Sequence, residues 1–361
     1  MSRSPRDLVR DEILAMRAYH VEPAQGMVKL DAMENPYRLP QELAARMGEV
    51  LAGVAVNRYP DPVAATLKER LREAMSIPAQ LGIVLGNGSD ELIQIVSLAL
   101  ARPGAAVLVP EPSFAMYRIS AIAAGLEFVG VPLAGDFSLD EPAMMAAIAS
   151  RRPALVWLAY PNNPTGNLFT REAILRIVAA APGLVVVDEA YYAFSGGATI
   201  LDEVGRHPNL VVMRTVSKLG LAGLRLGLAA GPADWMGEFE KLRPPYNVSA
   251  LNMAAAELLL AHGDVLLEQT RRIVAERGRL EAALDAMAGA RRFASAANFV
   301  LVRVPDAAAA FEGLKARGIL VRSFHGSHPL LANCLRLTVG TPDENAKLTE
   351  ALASILSPPN A

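Results

Sequence analysis

The chain has 361 residues, 52% apolar and 20% charged, which is enough to bury a sizeable core and excludes wholesale disorder. A formal charge of −2 argues against a general nucleic-acid binder, which normally carries a basic excess. Cys334 is the sole cysteine, so an internal disulfide framework and a cysteine-based metal cluster are excluded, and a reducing compartment fits.

Residues 1–12 are charged throughout and lack the apolar centre of a signal peptide, so a cytoplasmic protein is expected. Residues 1–40 predict no core of their own; they read as an arm packing on a smaller domain or on a partner chain. From about Pro62 to Gly231 two textures alternate. Apolar runs at Gly82–Leu85, Ala105–Val109, Ala154–Ala159, Leu184–Val187, Leu210–Met213 and Leu226–Ala230 predict buried strands. Helical patterns at Ala64–Met75, Glu91–Ala101, Phe114–Ala124, Glu141–Ser150 and Arg171–Ala180 lie between most of them. Continuous apolar strands bracketed by helices predict a mostly parallel sheet covered on both faces. Residues 41–240 therefore read as a large α/β domain. From Trp235 the texture changes to long helical stretches, Val248–Ala261 and Asp264–Ala288, then strands at Asn298–Val304, Ile319–Arg322 and Cys334–Val339. Residues 241–361 read as a smaller α+β domain.

Ligands of open α/β sheets gather at the carboxyl ends of the strands, and every chemical motif in this chain follows such a strand. Gly86-Asn87-Gly88-Ser89-Asp90-Glu91-Leu92 joins a strand to a helix start, where free N–H groups and Ser89 make an anion seat or simply a capped turn. It is not a dinucleotide fingerprint, because Glu91 takes the third glycine's place. Ser113-Phe114 offers a ring that could stack on a flat ligand or belong to the core. Pro161-Asn162-Asn163-Pro164-Thr165-Gly166 is a turn that also presents amides rigidly. Asp188-Glu189 ends an apolar strand with two carboxylates; a nucleotide-hydrolase magnesium site would need a G-x-x-x-x-G-K-[ST] loop, which the chain lacks. A carboxylate there can instead hold a protonated heteroaromatic nitrogen. Lys218, after Ser217, is either a surface lysine or a desolvated amine nucleophile. His325 and His328 read as loop residues, and no metal is expected.

In this order and at these spacings, the anion loop, Phe114, Asn163-Pro164-Thr165-Gly166, Asp188-x-x-Tyr191, Ser217-Lys218, Arg225 and Arg336 resemble the fold-type I aminotransferases that use pyridoxal 5'-phosphate. The resemblance runs from about Leu30 to Leu352. Within that superfamily the chain is similar to the histidinol-phosphate aminotransferase family, on Leu30-Asp31-Ala32-Met33-Glu34-Asn35-Pro36-Tyr37, Asn57-Arg58-Tyr59-Pro60-Asp61 and Leu335-Arg336-Leu337-Thr338-Val339-Gly340. Two departures stand out. Met33 occupies a position where the family pattern has asparagine, and Arg225 follows Lys218 one residue sooner than is common.

The resemblance implies roles. Lys218 would hold the cofactor as a Schiff base and shuttle the substrate α-proton. Asp188 would hold the pyridinium nitrogen, Asn163 and Tyr191 the ring's phenolic oxygen, and Phe114 would cover a ring face. Gly88, Ser89, Asp90, Ser217 and Arg225 would surround the phosphate, with Tyr59 reaching it from the partner subunit of a homodimer. Tyr19, Arg322 and Arg336 are the implied substrate-binding residues, for histidinol phosphate and for 2-oxoglutarate or glutamate, in histidine biosynthesis. An aromatic or broad-range aminotransferase and a threonine-phosphate decarboxylase are the implied alternatives on the same scaffold. A non-catalytic regulator of this fold would need a DNA-binding domain, for which residues 1–40 are too short.

Overall fold

The computed structural model describes residues 4–18 and 21–357. Its strands, in chain order, are β1 (Val28–Lys29), β2 (Gly82–Gly86), β3 (Ala106–Glu111), β4 (Glu127–Pro132), β5 (Leu155–Ala159), β6 (Leu184–Asp188), β7 (Leu210–Thr215), β8 (Gly227–Gly231), β9 (Arg291–Arg292), β10 (Phe299–Arg303), β11 (Ile319–Leu320), β12 (Arg322–Ser323) and β13 (Cys334–Thr338). Seven of them form one sheet in the order β2-β8-β7-β6-β5-β3-β4. β8 alone runs antiparallel to its neighbours, pairing with β2 on one side and β7 on the other.

Side-chain alternation divides the strands' apolar residues between two cores. Val156 and Leu158 of β5 and Val185 and Val187 of β6 face one core; Leu155, Trp157, Leu184 and Val186 face the other. Both faces are covered, as the unbroken Leu184–Val187 run requires. β4 was not among the expected strands. It is an edge strand, largely exposed or half-buried and containing Glu127 and Gly130, so it lacks the apolar run that marks its neighbours.

A second sheet, β12-β13-β10-β9, is antiparallel, and β1 pairs in parallel with β11. The expected single strand Ile319–Arg322 is thus two short strands that join different sheets. A third core gathers Leu30, Phe299, Leu335, Leu337 and Leu348 here, so part of the N-terminal arm is built into this unit. The helix Gly263–Asp285 links the two units. Its Leu266 lies in a core of the large sheet, whereas Ile273, Leu280 and Leu284 lie in the third core. At about 1.5 Å per residue such a helix is long enough to do both. Among the described residues no single helix is long and apolar enough to cross a membrane.

Candidate active site

The ends of β2, β3, β5, β6 and β7, with the start of the antiparallel β8, converge on one edge of the large sheet, and the motifs meet there. The loop after β2 turns into the helix Ser89–Ala99 at Gly88, whose φ of +83° suits glycine and which offers no capping side chain. The first-turn N–H groups therefore face the pocket as an anion seat. A Cβ on Gly88 would collide with Arg225 Nη2, so the missing side chain is what lets the guanidinium close over the loop. Arg225 Nη2 also approaches Asp90 Oδ2 at 3.3 Å. Ser217 is fixed by its N–H, which donates to Thr215 Oγ1 at 3.1 Å.

The same pocket is lined by Asp188, the last residue of β6 and buried. Burial pushes its carboxyl up to about 6, although the Tyr117 hydroxyl at 2.7 Å and the Ala190 N–H at 3.1 Å both favour the ionised form. The Tyr117 ring is stacked on Trp157 at 4.9 Å and meets Phe114 edge-on at 5.6 Å. Phe114 is thereby held at the pocket wall. The neighbouring Glu189 does something else: strand alternation turns it away, into a fully buried ion pair with Arg214 at 2.7 Å, supported by Thr199 Oγ1 and the Ile200 N–H. Sequence placed both carboxylates at the strand end, and only Asp188 lines the pocket.

Lys218, in the short turn after β7, lines the pocket as well. Desolvation, followed by the charge of Arg336, lowers its amine to about 8. Nζ donates to the Ala32 carbonyl at 3.2 Å and sits 5.8 Å from the centre of the Tyr191 ring. Asn163 Nδ2 donates to Tyr191 Oη at 3.1 Å, and Asn163 Oδ1 accepts from Arg336 Nη1 at 2.7 Å. Arg336 Nη2 donates to the Asp31 carbonyl at 2.7 Å, and its guanidinium lies between the rings of Phe299 and Phe324. Arg322 is the register partner of Arg336 across the β12–β13 ladder. Two like charges directly opposite repel, so an anion placed between them is favoured.

Ser89, Asp90, Phe114, Asn163, Asp188, Tyr191, Ser217, Lys218 and Arg225 thus line one pocket, with Gly88 behind Arg225 and Arg336 reaching in through Asn163. Tyr59 does not line it. Tyr59 is 81% exposed and stacked on Tyr246 at 4.5 Å. Tyr19 lies outside the described residues. His325 and His328 each accept a backbone N–H through Nδ1, which accounts for them as loop-fixing residues. Sequence reasoning missed Tyr117, although it stands three residues after Phe114 and so on the same helix face. The carbonyls of Asp31 and Ala32 carried no signal at all.

The model of the aminotransferase class I and II family matches residues 25–352. A histidinol-phosphate aminotransferase of Chromobacterium violaceum is 56% identical over 352 residues, covering 98% of this chain and 99% of that protein. Histidinol-phosphate aminotransferase 1 of Burkholderia lata is 56% identical over 350 residues, covering 97% and 98%. The crystal structure of a histidinol-phosphate aminotransferase from Sinorhizobium meliloti in complex with pyridoxal-5'-phosphate superposes with a TM-score of 0.86 at 26% identity, covering 97% of each chain.

Proposed function

The chain belongs to the aminotransferase class I and II family, and from that premise we propose that it moves an amino group from histidinol phosphate to 2-oxoglutarate using pyridoxal 5'-phosphate, in histidine biosynthesis. The observation that carries this reading is a half-buried, desolvated amine, Lys218, lying in one pocket with an anion seat and a buried carboxylate, while strand-borne Arg336 reaches the same pocket through Asn163.

The residues suit that cofactor. Its phosphate matches the seat formed by the N-terminus of the helix Ser89–Ala99 with Ser89, Ser217 and Arg225. Asp188 suits a protonated ring nitrogen: a buried carboxylate at about 6 gains a charge partner that returns it to the ionised state. Bound there, the cofactor supplies an electron sink for the pair left on the substrate α-carbon. Lys218 Nζ, with its affinity for protons lowered to about 8, is poised both to take the α-proton and to give it back near neutral pH. Tyr191 and Asn163 orient the ring through its phenolic oxygen. Arg336, joined by Arg322, holds the anion of each substrate in turn, the phosphate of one and a carboxylate of the other. That two proteins 56% identical to this chain are histidinol-phosphate aminotransferases supports the phosphate-bearing substrate.

The same reading makes the chain a cytoplasmic homodimer built from an arm (1–40), a large unit and a small unit. The large unit reaches beyond the expected boundary at 240, because Val248, Ala256, Leu259 and Leu266 pack in a core of the large sheet. Tyr59 and Tyr246 are stacked and exposed, and Val56, Val63, Leu242 and Leu251 are exposed apolar side chains as well. A second copy would cover them and place Tyr59 at its neighbour's cofactor phosphate. A half-reaction screen tests the activity: the yellow cofactor-loaded protein is mixed with single amines and its absorbance followed. Histidinol phosphate should discharge the yellow form far faster than phenylalanine or tyrosine. Equal rates would point to a broad-range enzyme, and release of carbon dioxide from threonine phosphate to a decarboxylase.

A further inference from the structure

The segment Leu30–Pro36 runs across the pocket and touches both units. Its consecutive carbonyls have different clients: Asp31 O accepts from Arg336 Nη2 at 2.7 Å and Ala32 O from Lys218 Nζ at 3.2 Å. The next residue, Met33, has φ +53°, in the left-handed region that L-residues other than asparagine, aspartate and glycine avoid. Its backbone is pinned there from both sides. The N–H donates to Thr338 Oγ1 at 3.0 Å, and the carbonyl accepts from Asn298 Nδ2 at 2.9 Å. The side chain turns inward, is 8% exposed, and puts Sδ 3.4 Å from Tyr191 Oη.

Asparagine or glycine would take this backbone with less strain, yet a long thioether stands here and meets a hydroxyl of the site. We propose that Met33 is a positioning residue. Its sulfur aims the Tyr191 hydroxyl, and its left-handed backbone turns the Ala32 carbonyl onto Lys218 Nζ. A thioether is a weak acceptor, so it orients the tyrosine proton but yields it when a stronger acceptor arrives. A carbonyl or carboxylate at that place would hold the proton instead. Met33 thus sets the starting geometry of two groups that touch the cofactor without touching the transferred amino group itself.

The inference rests on the aminotransferase reading and is tested with Met33→Leu and Met33→Asn. Three quantities are read: the pH midpoint of the visible band of protein loaded with pyridoxal phosphate, kcat against KM, and the melting temperature of the cofactor-free protein. Leucine keeps the volume and loses the acceptor, so melting should stay unchanged. The Tyr191 proton then goes wholly to the cofactor's ring oxygen, making that oxygen less basic. The midpoint should move to lower pH by about half a unit, which is a roughly threefold change in the proton equilibrium. kcat should fall with KM held. Asparagine relieves the backbone but withdraws a side chain from the third core. It should therefore melt above Met33→Ala, the control that loses the same packing and keeps the strain. Its amide oxygen holds the Tyr191 proton, so the midpoint should move to higher pH. An unmoved midpoint in both the leucine and asparagine variants overturns the role of the sulfur, and a Met33→Asn protein that melts no higher than Met33→Ala overturns the backbone argument. If the leucine variant fails to fold, the asparagine variant carries the midpoint test alone. A wild-type protein that shows no visible band with pyridoxal phosphate would instead sink the aminotransferase reading itself.

Discussion

The Tyr117 hydroxyl donates to Asp188 Oδ2 at 2.7 Å, inside a stack that also contains Trp157 and Phe114. Burial pushes both groups toward their neutral forms, and this bond is the principal force keeping the carboxylate charged. Tyr117→Phe keeps the ring stack and removes the bond. A hydrogen bond to a charged group contributes about 1.5–3 kcal/mol, so cofactor binding should weaken roughly ten- to hundredfold. Fluorescence titration of the stripped protein measures this, and unchanged affinity would show that Asp188 needs no help.

Lys218 gives a pH signature. Its amine is lowered from 10.5 to about 8, so the neutral, reactive form grows as pH rises through about 8. Cofactor uptake by the stripped protein should be half-maximal there; a midpoint near 10 would mean a solvated amine. Stability follows by linkage. Between about 8 and 10.5 the unfolded chain binds more protons at this site than the folded one, so the folded protein gains stability as pH rises through that window. Below it the buried charge costs about 3 kcal/mol, and Lys218→Ala should raise the melting temperature of the cofactor-free protein at neutral pH.

Arg336→Lys keeps the charge and loses the planar fork. If one guanidinium serves both anions, both half-reactions should then need more substrate, with histidinol phosphate and with glutamate. Single-turnover titrations with each substrate check this. One half-reaction left untouched would mean that the two anions bind apart.

The buried pair Glu189–Arg214 is structural. Arg214→Met strands a carboxylate whose side chain is fully shielded from solvent. Losing one partner of such a pair costs about 3–5 kcal/mol, so the urea midpoint should fall sharply. A shift no larger than that of a surface substitution would show that Thr199 and the Ile200 N–H suffice for Glu189.

Tyr59 tests the shared site. If it serves the neighbouring subunit, mixing inactive Lys218→Ala with a crippled Tyr59→Ala protein should restore activity, since each hybrid dimer has one site with both residues intact. Mixtures no more active than their parts, or a monomer by light scattering, would refute it.

The parallel core was legible because its strands are unbroken apolar runs, and the site because strand ends carry Asp188, Lys218 and the Asn163 loop. What stayed hidden had physical reasons. β4 is an edge strand with one solvated side, so its composition resembles a loop. Tyr117 reads as a core aromatic, since nothing local reveals that its hydroxyl meets a carboxylate 71 residues away. Glu189 and Asp188 are adjacent and chemically alike, and only the twofold alternation of a strand sends one to the pocket and the other to Arg214. The Asp31 and Ala32 carbonyls are backbone atoms, which no residue pattern can announce.

The chain has just two tryptophans. Trp235 lies toward the surface, with its indole N–H donating to the Pro208 carbonyl, whereas Trp157 is sealed against Tyr117, one contact from the carboxylate at the pocket floor. The molecule therefore carries its own optical gauge. Light absorbed by the inner indole is emitted within a few side chains of whatever occupies the cleft, while the outer one provides a built-in reference.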